Sequence, residues 1–177
     1  MSLRNKIATG VIVLASAPLV AFLGKWEGNG QNVVYPDQLA RGLPTVCKGI
    51  TRHTSPYQLV VGDYWSPARC AEVEQLVIQK GQLALADCLS NQKVGQKTFD
   101  ALTSHSHNVG VPSTCASRSV GLINAGHIAE GCKALAWAAD GKTPVWAYVT
   151  DAVGRKKFVP GLHARRLAES RLCAEGL

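Results

Sequence analysis

Apolar and polar positions divide the chain into three stretches of different character. Residues 7–24, "IATGVIVLASAPLVAFLG", carry no charged side chain and follow Arg4 and Lys6. An uncharged run behind two cations is the layout of a secretory signal or a membrane anchor. As one helix it would span about 27 Å, slightly less than a hydrocarbon core of roughly 30 Å. Between 28 and 62, short runs such as "NVVY" and "LPTVC" are punctuated by turn formers, which predicts a small sheet or hairpin. From Ser66 the period changes. Ser66-Pro67 reads as an N-cap and first-turn proline, and Val73, Leu76, Val77 and Leu83 predict a long helix running towards Cys88. Further helices are predicted over 96–108, 116–124, 127–138, 142–149 and 161–174, separated by Gly110, Gly126, Gly141 and Pro160. The expected class is α+β. A sheet lobe comes first, a larger helical lobe follows, a long helix joins them, and a cleft between the lobes is the expected substrate site.

At 177 residues the chain fits one domain and a short appendage. The division expected is a signal-anchor segment over 1–25 and a folded body over 26–177. Lys and Arg exceed Asp and Glu by 19 to 12, a formal charge of +7, which attracts any polyanion. The cations are scattered, with short clusters at Arg155, Lys156, Lys157 and at Arg165, Arg166, and no nucleic-acid-binding motif is present, so nucleic acid is not an expected partner. Cys47, Cys70, Cys88, Cys115, Cys132 and Cys173 form no CxxC and no metal-ligand cluster with histidine. That pattern favours disulfides in an oxidising compartment, with no metal and no cofactor. A helix-turn-helix over 116–137 would bring Cys115 to Cys132. Six cysteines allow 15 connectivities, so spacing does not fix the pairs, and Cys88 with Cys173 and Cys47 with Cys70 only complete the preferred set.

Ala15-Ser16-Ala17 also satisfies the A-x-A pattern of a signal peptidase site. Pro18 argues against cleavage, because it fixes φ and removes an N–H that an extended substrate would offer. A retained anchor is therefore expected over a cleaved leader.

The segment "KWEGNGQNVVYPDQLARGLPTVCKGIT", residues 25–51, places Glu27 and Asp37 directly behind the apolar run. Hydrolysis of a glycosidic bond needs a protonated acid at the leaving oxygen and a carboxylate that handles water or the developing positive charge. Two acids in a carboxylate-poor region form a candidate pair. The residues around them sharpen the reading. "WEG" at 26–28, "YPD" at 35–37 and "GLPTVCKGIT" at 42–51 resemble the phage lysozyme family that includes T-even phage lysozyme. So do "FDALTSHSHNVG" at 99–110, "LINAGHIAEGCKAL" at 122–135 and "GLHARRLAESRLC" at 161–173.

That resemblance implies a lysozyme-like two-lobe fold and hydrolysis of the β-1,4 bond between N-acetylmuramic acid and N-acetylglucosamine in peptidoglycan. It implies Glu27 as general acid, Asp37 as second carboxylate, and Thr45 as the hydroxyl that helps place water, donating to Asp37. Attack by water implies inversion, with carboxyl groups roughly 6.5–9.5 Å apart. Glu and Asp stand one residue further apart than the common family spacing, and Asp and Thr two, so a bulge is expected in the hairpin. Ile50 replaces the family's histidine, a function that His53 could take over. His105 and His107 replace an aromatic pair, and their spacing of two points them to different helix faces. Asn108 is a candidate for hydrogen-bonding a sugar acetamido group, and Glu169 lies one helical turn from Arg165 and Arg166, a bracing arrangement.

In this family the general acid ends the first helix, and here the apolar segment supplies that helix. The layout resembles signal-anchor-release endolysins of phages, exported in tethered form and released when the host membrane is depolarised. Insertion in lipid would withhold activity by displacing Glu27. The expected partners are peptidoglycan, the host inner membrane and the host secretion machinery. The expected location is the periplasmic side of the inner membrane and then the periplasm, as a monomer. A lytic transglycosylase and a wall-binding protein with a degenerate site are the alternatives.

Overall fold

The computed structural model describes residues 2–28, 30–38, 42–151 and 153–176. Eight helices and five strands are described, in the order α1 (Leu3–Ala8), α2 (Ala17–Gly24), β1 (Gln31–Asp37), β2 (Leu43–Cys47), β3 (Ile50–Thr51), α3 (Pro67–Ala86), α4 (Gln96–Val109), α5 (Val111–Cys115), α6 (Arg118–Asn124), α7 (Ile128–Lys133), β4 (Tyr148–Thr150), β5 (Lys156–Phe158) and α8 (Pro160–Ala174). The chain divides into two compact units, residues 15–80 and residues 1–14 with 81–177, and α3 runs through the boundary.

The N-terminal apolar run is not one helix. α1 ends at Ala8, Gly10 and Ala15 take left-handed φ values of 73° and 46°, and α2 begins afresh. Ser16 caps α2 by accepting a hydrogen bond from the Leu19 amide at 3.3 Å, and Pro18 lies in the first turn. The residues that resemble a cleavage motif thus start a helix. Among the described residues no helix is long and apolar enough to cross a membrane.

Each half of the segment is held separately. In the unit of residues 1–14 and 81–177, Leu3 and Ile12 enter a core with Leu85, Phe99, Leu102 and Ile123. Polar ties reinforce that burial. Arg4 makes a two-pronged pair with Asp87, at 2.6 and 2.7 Å, and the Lys6 ammonium donates to the carbonyls of Gln92 and Val94. In the unit of residues 15–80, Leu19 and Leu23 of α2 pack against Ile78 of α3. Burying each such side chain contributes about 1.5–3 kcal/mol.

The sheet over β1–β3 is antiparallel, and its register shifts between Gln31 and Tyr35, where the expected bulge falls. Val34, Val46 and Ile50 turn one face onto Leu59, Trp65 and Val73. α3, α4, α6 and α8 fall where the apolar spacing puts them. The helix expected over 142–149 is absent. The Asp140 carboxylate accepts from the amides of Lys142 and Thr143 and from the Thr143 hydroxyl, and Pro144 disfavours helical φ/ψ at Thr143. The chain instead forms a second antiparallel pair, β4 with β5. The helix expected over 127–138 is shorter, ending at Lys133.

Only Cys47–Cys70 among the expected disulfides is present; the others are Cys88–Cys115 and Cys132–Cys173. Cys132 lies on the buried side of α7, packed against α8, which brings it to Cys173 rather than to Cys115.

Candidate active site

Glu27, Asp37, Thr45 and His53 all belong to the unit of residues 15–80, whereas Asn108 belongs to the other. Glu27 is placed by the end of α2. The amides of Trp26 and Glu27 both donate to the Leu23 carbonyl, at 2.9 and 3.2 Å, so the acid hangs directly from the last helical turn and is half-buried. Two glycines then turn the chain into the sheet. Gly28 has φ 65°, and a Cβ at Gly30 would stand 2.6 Å from the carbonyl carbon and oxygen of Cys47. Any side chain at position 30 would push the strand that follows Glu27 away from β2.

Asp37 is the last residue of β1, half-buried and paired with Leu43. Its carbonyl accepts from the Gly42 amide at 2.7 Å, which closes the hairpin at that point. Thr45 pairs with Tyr35 on one side and Thr51 on the other. Paired residues, and residues two apart along a strand, share a sheet face. Asp37, Tyr35, Thr45 and Thr51 therefore line the face opposite Val34, Val46 and Ile50. Thr45 is only 2% exposed, and its hydroxyl donates to the Leu43 carbonyl at 3.0 Å. The donation to Asp37 expected from sequence is replaced by this short bond within β2, which leaves the Thr45 oxygen as an acceptor. Tyr35 and Thr51 were not singled out beforehand, although the two-residue alternation of the strands assigns them to this face once the register is known.

His53 is exposed in the turn after β3, with its amide donating to the Thr51 hydroxyl at 3.3 Å. Asn108 is exposed on the last turn of α4. Among the described residues no group of three His, Cys, Asp or Glu side chains is placed to hold a metal ion.

In the same unit as Asn108, α8 carries a buried ionic group that meets α4 at Ser104. One Glu169 oxygen, Oε1, accepts from the Ser104 hydroxyl at 2.7 Å, Arg166 at 2.7 Å and Arg165 at 3.2 Å. Burial raises the proton affinity of Glu169, and the guanidiniums and the hydroxyl oppose it. His105 is fully buried, its Nδ1 lies 2.9 Å from the Thr114 hydroxyl, and its ring meets Trp146 edge-on at 5.1 Å. Burial, with the charges of Arg166 and Arg165, lowers its pKa from 6.5 to about 3, so the ring is neutral. The bracing arrangement expected of Arg165, Arg166 and Glu169 is present.

Residues 24–169 match the phage lysozyme family, and the chain belongs to it. Solved structures share the fold. An endolysin from the Escherichia coli O157:H7 phage FAHEc1 is similar with a TM-score of 0.74 and 23% identity, over 94% of this chain and 96% of that one. The muramidase domain of SpmX from Asticcacaulis excentricus gives a TM-score of 0.72 at 20% identity, over 89% and 95%. A point mutant of P22 lysozyme gives 0.67 at 20%, over 92% and 99%. No curated protein sequence matches the chain.

Proposed function

We propose that this chain is a muramidase-type endolysin that hydrolyses the β-1,4 bond between N-acetylmuramic acid and N-acetylglucosamine. Glu27 acts as general acid, and Asp37 handles the water. The observation that carries the reading is family membership over a span that contains both carboxylates. The local geometry supports it: one carboxylate hangs from a helix end, and the other shares a polar sheet face with Thr45 and Tyr35. Thr45, with its proton committed to Leu43, accepts a hydrogen bond from the water rather than donating to Asp37.

The test is lysis of permeabilised cells. Glu27→Gln removes the transferable proton and should lower the rate by roughly 10²–10⁴-fold. Asp37→Asn should do the same in a hydrolase and yield no anhydro-sugar ends in the muropeptides. Full activity of Asp37→Asn, or anhydro products from the wild type, would favour a lytic transglycosylase. A direct water attack inverts the anomeric centre, which NMR of the first-formed product reads.

The N-terminal run supports a second layer of the reading. The helix that carries Glu27 is made of residues that would enter lipid if the segment were inserted, so the tethered chain would hold its acid away from Asp37. Fractionating cells before and after an uncoupler tests this. The full-length chain should move from membrane to soluble fraction, and recovery of a truncated soluble form alone would end the release hypothesis.

A further inference from the structure

Among the described residues the β4–β5 hairpin is covered only at its base, where the Phe158 ring meets His163 at 5.8 Å. All six of its strand residues are exposed, and so is the turn residue Val153, at 72%. Two strands alone are marginally stable in water, and contiguous apolar surface on a monomer marks an interaction site. Pairing sorts the ribbon into two mixed faces. Tyr148 lies opposite Phe158, their rings 5.6 Å apart, with Thr150 and Lys156 next along the same face, while Val149 and Lys157 share the other. Each face thus joins apolar surface to one cation. The turn is set by Asp151, whose carboxylate accepts from the amides of Val153 and Arg155 and pairs with the Arg155 guanidinium at 3.0 Å. Asp151 therefore offsets Arg155. Lys156 and Lys157 have no carboxylate within ion-pair distance among the described residues.

The geometry points to the hairpin as a docking element for an anionic phospholipid bilayer. Aromatic rings such as Tyr148 and Phe158 settle at headgroup depth, lysine stems lie along apolar surface while their ammonium groups stay in water, and Val153 at the tip enters the acyl boundary. Phosphate headgroups supply the charge complementary to Lys156 and Lys157. An anionic polysaccharide would satisfy the lysines and leave Val149 and Val153 with nothing to contact, which is why lipid is the occupant chosen. The proposal involves neither Glu27 nor Asp37 and does not depend on their roles.

The test is co-sedimentation of the full chain with vesicles of phosphatidylglycerol and phosphatidylcholine, with pure phosphatidylcholine vesicles and peptidoglycan sacculi as parallel arms. At about 1 kcal/mol per cation near an anionic surface, Lys156→Gln with Lys157→Gln should weaken binding to the anionic vesicles by about 30-fold. Val153→Ser should weaken it by several-fold. The pair Lys80→Gln with Lys133→Gln removes the same charge elsewhere and should change it by less than about threefold. Comparing variants that share one N-terminus cancels any contribution of residues 7–24. The proposal is overturned by equal losses from the two lysine pairs, by no binding, by hairpin-independent binding, by equal binding to the neutral vesicles, or by hairpin-dependent capture on sacculi instead. Unchanged circular dichroism and unchanged lysis of permeabilised cells confirm that the variants are folded.

Discussion

Glu169 gathers three donors on one oxygen and is the carboxylate that pairs with two buried guanidiniums, so its removal strands positive charge in the core. Glu169→Ala should cost about 3–5 kcal/mol in denaturant unfolding, as breaking a buried pair does. His105 sets the pH response of the same region. The unfolded chain takes up the imidazole proton near 6.5 and the folded chain only near 3, so the unfolded state binds more protons between those values. Stability should therefore fall as pH drops through that window, by an amount on the order of a few kcal/mol. The charges of Arg166 and Arg165 act on the ring in the same direction as burial, and its contacts with Thr114 and Trp146 are uncharged. Thermal unfolding at a series of pH values reads the effect, and His105→Gln should flatten the slope.

At the level of elements, two glycines make opposite predictions. Gly30→Ala forces a Cβ against the Cys47 carbonyl and should cost about 1–3 kcal/mol while displacing the loop behind Glu27. Activity should fall more than the lost stability explains. Gly81 lies inside α3 with nothing within 4 Å of a Cβ, so Gly81→Ala should raise stability by about 0.5–1 kcal/mol. Elements were legible where local chemistry and tertiary packing agree. α3, α4 and α8 have long apolar periods and clear starts. The start of α2 was equally written in Ser16 and Pro18, but the same letters spell a cleavage motif. The 142–149 segment misled because its apolar residues look helical, while the capture of backbone amides by Asp140 depends on a turn that periodicity does not reveal. The polar sheet face was half visible. Glu27 and Asp37 came from motif spacing, whereas the commitment of the Thr45 hydroxyl to Leu43 required the register.

Across the whole molecule, the chain passes between its two units at 14/15 and again at 80/81, and every disulfide stays inside one unit. Cys132–Cys173 closes the longest loop, with a separation of 41, so Cys132→Ala with Cys173→Ala should lose about 4 kcal/mol on the loop-entropy estimate, measurable by denaturant titration. Pairing was not legible because it depends on which side of α7 turns inward, and sequence spacing is silent on that. The pairs observed are first with second, third with fourth, and fifth with sixth along the chain. If the chain is exported as the proposed function requires, an oxidase that meets the thiols one after another would thus make each native bond from the nearest unused neighbour. Maturation should proceed at an undiminished rate in cells that lack a disulfide isomerase.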